Sequence, residues 1–306
     1  MSKGNTNPDD YVIGIDIGGT NFRIGTITPD HTLENARRVS SRQLFETNDP
    51  ILVLSSFLSS YMKEFPERTC RGICLGFPGT VDKKKQVVYS CPNLPSITNK
   101  NVAGILGEQF QLPVCAEHDV ILLLANDLKT AKLQGYDCVI ALYVGTGLGN
   151  ALYIHGRFLD GKNGVAGELG HIPVMGITDT CPCGNEGCLE LFCGGKKLEQ
   201  IREEYYPKVP FAELFSHYSK DGPLAVYLDA VAVAAATEIN ILDPDCILLS
   251  GGVINMADFP YEQLITRIRH YARKPYPEQS LIFLRGISDP FSGVLGAGIY
   301  MWDRIE

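Results

Sequence analysis

The chain has 306 residues, of which 45% are hydrophobic and 20% charged; this is ordinary globular usage, with enough length for two domains and a large core. A formal net charge of −8 argues against a nucleic-acid partner, which needs a basic face, although backbone N–H groups can still bind a phosphate locally. No uninterrupted run approaches the roughly eighteen apolar residues of a membrane span, and ten cysteines without an apolar signal-peptide core point to a reducing cytoplasm.

The opening MSKGNTNPDD reads as a short disordered lead-in. Residues 11–27, YVIGIDIGGTNFRIGTI, follow as an apolar strand, a glycine turn and a second strand. In that turn Gly18, Gly19 and Thr20 can present consecutive N–H groups to a phosphate, and Asp16 at the strand end can hold Mg2+ through water. A plain hairpin turn is the competing reading. Residues 50–64 form a helix with Pro50 in its first turn, and 71–77, RGICLGF, form a buried strand. Residues 101–110 form a helix whose apolar face is Val102, Ile105, Leu106 and Phe110. LPVCAEHDVILLLAND then passes from strand to helix around Asp119. The carboxyl end of a strand is where open α/β sheets gather ligands, so Asp119 is a candidate general base; a helix N-cap is the plainer role.

Residues 138–154, CVIALYVGTGLGNALYI, repeat the plan of strand, glycine turn with a threonine (Thr146, Gly147) and strand. It is not a dinucleotide fingerprint, because Asn150 stands where the third glycine belongs and a strand follows instead of a helix. No GxxxxGK[ST] is present, so a P-loop is excluded. Two such units suggest duplicated halves that hold one phosphate chain.

Residues 164–190 carry Cys181-x-Cys183-x4-Cys188, with His171 upstream. Thiolate and imidazole ligands in a set of four describe a closed tetrahedral Zn2+ site, and Gly184 and Gly187 let the backbone turn around an ion. Buried thiols without a metal are the bland alternative. Glu168 and Glu190 bracket the knuckle. With the metal's four positions filled, they are free to accept hydrogen bonds from a polyhydroxylated ligand. Residues 224–242 read as a long buried helix, 245–253 as a strand running into Gly251-Gly252, and YEQLITRIRHYARK as an amphipathic helix. Residues 292–305 close the chain as a helix whose small face, Gly293, Gly296 and Ala297, packs back on the first domain.

DIGGTN at 16–21, VGTGLGN at 144–150, GELGH at 167–171 and CPCGNEGCLE at 181–190 together resemble the ROK family of sugar kinases, from about residue 11 to the C-terminus. FPGTVDKKKQVVYSCPNLP and GVAGELGHIPV are most similar to its D-allose kinase branch. The resemblance implies an α/β, actin-like (ribonuclease H-like) two-domain fold of duplicated βββαβα halves. One domain is expected over 11–117 with the helix 292–306, and a larger one with the zinc knuckle over 118–291. It further implies ATP with Mg2+, a structural Zn2+, transfer to the 6-hydroxyl of a hexose, and assembly as a homodimer. Glucose, N-acetylmannosamine and fructose are the alternative substrates.

By the same matching Asp119 is the catalytic base, and Asn93, Asp119, Glu168, His171 and Glu190 face the sugar. The phosphates and nucleotide fall to Asp16, Gly18, Gly19, Thr20, Asn21, Thr146, Gly147, Gly251 and Gly252; His171, Cys181, Cys183 and Cys188 hold the metal. His118 and Ile121 stand where the family places asparagines, and Asn21 where many relatives carry lysine. Arg23 is then either a substitute cation or a simple surface charge. Sugar-sensing repressors of the family carry a winged helix-turn-helix before the first glycine turn, and only about ten polar residues precede it here, which favours the kinase.

Overall fold

The computed structural model describes residues 7–287 and 289–305. Residues 1–6 of the expected lead-in lie outside them, and the Asn7 amide donates to Asp10 Oδ2 at 3.1 Å.

The chain divides into two compact units: residues up to Thr130 with Asp160–Ala166 and the stretch from Asp289, and Ala131–Leu159 with Gly167–Ser288. In the first unit, strands β1 (Asp10–Ile17), β2 (Asn21–Ile27) and β3 (Leu33–Ser40) are followed by α1 (Ser41–Phe45), α2 (Pro50–Met62) and β4 (Thr69–Phe77). A small ribbon, β5 (Thr80–Val81) with β6 (Val88–Ser90), precedes α3 (Val102–Phe110), β7 (Val114–His118) and α4 (Asp119–Thr130). The sheet order is β3-β2-β1-β4-β7, antiparallel through β3-β2-β1 and parallel through β1-β4-β7.

The second unit repeats this plan. Strands β8 (Cys138–Val144), β9 (Leu148–Ile154) and β10 (Arg157–Phe158) lead to α5 (Glu190–Cys193), α6 (Gly195–Tyr205) and α7 (Pro223–Leu242). Then come β11 (Cys246–Ser250), α8 (Tyr261–Tyr271), β12 (Ile282–Arg285) and α9 (Ser292–Ile305), the last belonging to the first unit. The order β10-β9-β8-β11-β12, with the same antiparallel and parallel pairings, shows the duplication. Each copy extends βββαβα by one further strand and helix. The fold is the α/β, actin-like class that the sequence led us to expect.

Strand alternation explains the two faces of β1. Tyr11, Ile13, Ile15 and Ile17 pack into a core with Leu54 and Leu58 of α2 and Val102 and Leu106 of α3. Gly14 and Asp16 face α9 instead. A Cβ on Gly14 would lie 2.1 Å from Val294 O, and one on Gly293 would lie 2.9 Å from Asp16 Cγ. Helix α4 is clamped likewise, since a Cβ on Gly296 of α9 would lie 1.8 Å from Leu122 O. This contact is why the boundary falls at Thr130 and not at 117/118: α4 belongs with the first sheet. Asp160–Ala166 also belongs there, because Gly164 (φ +84°) sits on the backbone of Val81 and Lys83, 2.6 Å and 2.9 Å from where its Cβ would be.

Helix α7 is long and apolar enough to cross a membrane by length and composition alone. Most of it lies in the second core, where Leu224, Tyr227, Leu228, Val231 and Ala235 meet Ile140 and Leu142 of β8. The expectation of burial all round is corrected at Val226, Val233 and Ile241, which are exposed, as is Ile105 on α3.

Candidate active site

The turn between β1 and β2 is tied down before any ligand arrives. Gly18 N donates to Asn21 O at 2.8 Å and Ser41 N to Thr20 O at 3.0 Å, and Ser41 Oγ donates to Gly18 O at 2.6 Å. Gly19 is required here because Asn93 lies against it, its Cβ 3.1 Å from where a Gly19 side chain would begin. The first turn and the sugar-binding candidate Asn93 are therefore neighbours.

Asp16, the last residue but one of β1, stands opposite Arg23 in the antiparallel register. Arg23 Nη1 donates to Asp16 Oδ2 at 3.0 Å, and its Nε is buried with no protein partner. Arg23 is thus a partly buried cation at the glycine turn, which corrects the surface-charge reading. Burial and then the facing Asp119 carboxylate push the Asp16 carboxyl up to about 6, with Arg23 pulling the other way. Two carboxylates near a turn that offers N–H groups form a site that favours a cation bound together with a phosphate.

Asp119 is the first residue of α4. Its Oδ1 accepts from Val120 N at 2.8 Å and lies 3.5 Å from His118 Nε2. The side chain is partly exposed, and its bond goes to the next residue's amide, not to the N–H two or three residues on that a helix N-cap takes. Gly76 fixes its backbone: a Cβ there would lie 3.7 Å from Asp119 Cα and 2.8 Å from Leu122 Cδ1.

A cavity of about 340 Å³ next to Asn93 is lined by Phe45, Glu46, Thr47, Asn48 and Asn93 through Ser96; its volume suits a small polar ligand. Glu46–Asn48 were not singled out from the sequence. They fall in a polar stretch between two helices, where no motif distinguishes lining residues from solvated ones.

In the second unit Thr146 lies in the turn between β8 and β9, where Gly145 N donates to Gly147 O at 3.1 Å. Helix α6 begins on this turn, Gly195 N donating to Gly145 O at 2.8 Å and Lys196 N to Thr146 O at 3.1 Å. Gly251 (φ +103°) packs on Val144, the residue before the turn, with 2.6 Å from its would-be Cβ to Val144 O. The structure thus brings the Gly251-Gly252 bend to the second glycine turn. Around Gly252 a Cβ would meet nothing within 4 Å.

Glu190, at the start of α5, is placed between this turn and the cysteine cluster. A Cβ on Gly147 would lie 2.5 Å from Glu190 Oε2, and Glu190 Oε1 lies 3.7 Å from Cys181 Sγ. In the cluster the donor atoms of His171, Cys181, Cys183 and Cys188 lie within 4.8 Å of one another. Cys183 Sγ–Cys188 Sγ is 3.6 Å and Cys181 Sγ–His171 Nδ1 is 3.7 Å. A tetrahedral ion with metal–sulfur bonds near 2.3 Å needs edges of about 3.8 Å, so the donor set fits such an ion. His171 turns Nδ1 to the cluster and Nε2 towards Glu168 Oε2 at 3.5 Å, the carboxylate support typical of a ligating histidine. Gly187 is needed at φ +66°, where a Cβ would lie 2.6 Å from Ile177 O.

Each expected residue therefore falls into one of two groups. Asp16, Gly18, Gly19, Thr20, Asn21, Asn93 and Asp119 belong to the first unit, and Thr146, Gly147, Glu168, His171, the three cysteines, Glu190, Gly251 and Gly252 to the second.

Comparison with known proteins gives a match to the model of the ROK family over residues 12–304. The chain is 24% identical to the glucokinase of Thermotoga maritima, over 96% of this chain and 98% of that one. It is 27% identical to an N-acetyl-D-glucosamine kinase of Pectobacterium atrosepticum, over 83% and 88%. Among solved structures it resembles a ROK family glucokinase from Streptomyces griseus in complex with glucose and AMPPNP, with TM-score 0.77, 21% identity and 94% and 98% coverage. It also resembles a ROK family transcriptional regulator, a homolog of the E. coli MLC protein, with TM-score 0.83, 20% identity and 98% and 79% coverage. The structural likenesses show the fold.

Proposed function

The chain belongs to the ROK family, and from that membership and its site geometry we infer that it is an ATP-dependent sugar kinase that phosphorylates the 6-hydroxyl of an aldohexose, with D-allose as its preferred substrate. The observation that carries this reading is geometric: Asn93 lies against Gly19 of the first glycine turn, and Gly76 touches both the β1 backbone at Ile15 O and Asp119 Cα, so the turn, Asp16 and Asp119 gather at one end of the first sheet, where the Asp119 charge adds to burial in raising Asp16.

Phosphoryl transfer asks an enzyme mainly for alignment and charge neutralisation. The N–H groups of Gly19 and Thr20 bind phosphate oxygens in the first unit, on a turn that Gly18 closes by donating its own N–H to Asn21 O; Asn21 borders them, and Arg23 supplies the cation that Asn21 lacks. Thr146 and Gly147 do the same in the second unit, and Gly251-Gly252 accept the adenosine. Asp16 would hold Mg2+, which when bound would supply neutralisation of phosphate charge. Asp119 accepts the proton of the 6-hydroxyl late in the reaction, for which a strongly raised pKa is not needed. Asn93, Glu168, His171 and Glu190 orient the sugar hydroxyls.

Zn2+ is the ion proposed for His171, Cys181, Cys183 and Cys188. With all four positions taken by these side chains, the ion would be structural, and His171 and the three cysteines would hold the wall that carries Glu168 and Glu190. A cytoplasmic location, where thiols stay reduced and available to a metal, and pairing of two copies as a homodimer complete the proposal.

The test is ADP formation measured by a coupled assay with D-allose, D-glucose, N-acetylglucosamine, N-acetylmannosamine and D-fructose. The reading predicts sugar-dependent ADP formation, with the highest kcat/KM for D-allose. A different preferred sugar overturns the allose assignment alone. No sugar-dependent turnover overturns the kinase and favours a sugar-binding regulator, for which Asp119 has no chemical use.

A further inference from the structure

Two residues before Asp119, on β7, Glu117 holds a lysine that has almost no contact with water. Lys85 is 2% exposed and Glu117 is fully buried. Lys85 Nζ donates to Glu117 Oε1 at 2.8 Å, stands equally close to Oε2, and donates to Asp160 Oδ1 at 2.8 Å. Glu117 is satisfied on all sides: Oε1 also accepts the His118 backbone N–H at 2.8 Å, and Oε2 accepts the Tyr300 hydroxyl at 2.6 Å. Tyr300 in turn accepts from Arg304 Nη1 at 3.2 Å.

The local chain is built to send this lysine inward. Lys83 and Lys84 beside it are exposed, as expected of a lysine run. Lys85 differs because Asp82 turns the loop around it. Asp82 Oδ1 accepts from the Gln86 and Val87 amides, both at 2.7 Å, and Asp82 O accepts from Lys85 N at 2.8 Å. The turn holds Lys85 at φ +61°, a left-handed conformation that a side-chain-bearing residue seldom adopts without cause. Ala116 N donates to Lys85 O at 2.8 Å, which fastens the loop to β7. Burial alone would lower the ammonium's pKa, but Glu117 and Asp160 hold it above the ordinary lysine value, so it stays charged.

A buried ion pair of this kind is seldom the cheapest way to stabilise a fold, since apolar residues of similar volume often do as well. Its location gives it another use. We propose that Lys85 is a positioning residue for Asp119: its ammonium clamps the Glu117 carboxylate, which fixes the His118 amide and so the exit of β7 into α4, on whose first residue the carboxylate of Asp119 stands. Through Asp160 the same ammonium anchors the segment 160–166, which ends two residues before Glu168. The proposal rests on the reading of Asp119 as the catalytic base.

The test compares Lys85→Met, Glu117→Gln and the double variant, with Asp119→Asn as a control, for melting temperature, kcat, and KM for ATP and for D-glucose or D-allose. Lys85→Met leaves a buried carboxylate uncompensated, so its melting temperature falls. Its kcat falls at least tenfold while KM for ATP changes less than threefold, because a small misplacement of a catalytic group costs rate more than binding. The double variant buries neither the ammonium nor the Glu117 carboxylate and recovers melting temperature; kcat stays at least tenfold down, because the side chain at position 117 is no longer clamped. Should the single variant fail to fold, the double variant carries the same comparison. Recovery of both melting temperature and kcat in the double variant, or parent-like kcat in folded Lys85→Met, overturns the positioning role. Parent-like turnover in Asp119→Asn is a separate result, which removes the base assignment itself.

Discussion

Replacing Glu238 with Gln gives a test of the second unit's interior that can be worked through in numbers. Glu238 lies on α7 with 6% exposure. Its Oε2 accepts from Asn150 Nδ2 at 2.8 Å, and the same Nδ2 reaches Ala141 O at 3.2 Å. Burial pushes the carboxyl from 4.5 up to about 8, with the Asn150 hydrogen bond opposing. Between those two values the folded chain holds a proton that the unfolded chain has released. Stability from this group is therefore fully present below pH 4.5 and is lost as pH rises through 8, at about 1.4 kcal/mol per pH unit. From pH 5 to pH 8 the parent should lose about 4 kcal/mol relative to Glu238→Gln, which keeps the shape and the acceptor but cannot ionise. Urea unfolding of both proteins at pH 5, 6, 7 and 8, at fixed ionic strength, measures this difference. A difference that stays constant across the series refutes the reasoning.

Gly296→Ala places a methyl group into Leu122 O, 1.8 Å away in the unrelaxed structure. Because the obstacle is backbone, a loss of about 2–3 kcal/mol in unfolding free energy is expected, against near-neutrality for an alanine at Gly135, where a Cβ would meet nothing within 4 Å. Cys183→Ala removes one of four clustered donors. Elemental analysis should find the bound metal lost, and calorimetry should find sugar binding weakened more than ATP binding; unchanged metal content contradicts the ligand set.

The two strand–turn–strand units were legible because each writes apolar and β-branched strands around a glycine turn, and their repetition foretold the shared sheet order. The edge strand Leu33–Ser40 was not legible: it is paired on one side only, much of it is exposed, and LENARRVS shows no core face to read. The domain boundary was misplaced because a sequence does not say which sheet a helix packs on. Here α4 packs against α9, with Gly296 at the close approach to Leu122 O. The same gap explains Lys85. A lysine run reads as a solvated face, and only the Asp82 turn reveals that its third member points inward. Arg23 was ambiguous for a similar reason, since strand alternation gives a face but not the partner across it, Asp16.

The central claim concerns one proton and one carboxylate. Phosphorus NMR of the product formed from ATP and the best hexose, with parent and Asp119→Asn protein at matched sugar occupancy, tests it most directly. The account predicts a 6-phosphate ester with the parent and turnover lower by several orders of magnitude in the variant, with sugar binding nearly intact. Phosphate on another hydroxyl, or near-parent turnover in Asp119→Asn, would contradict it.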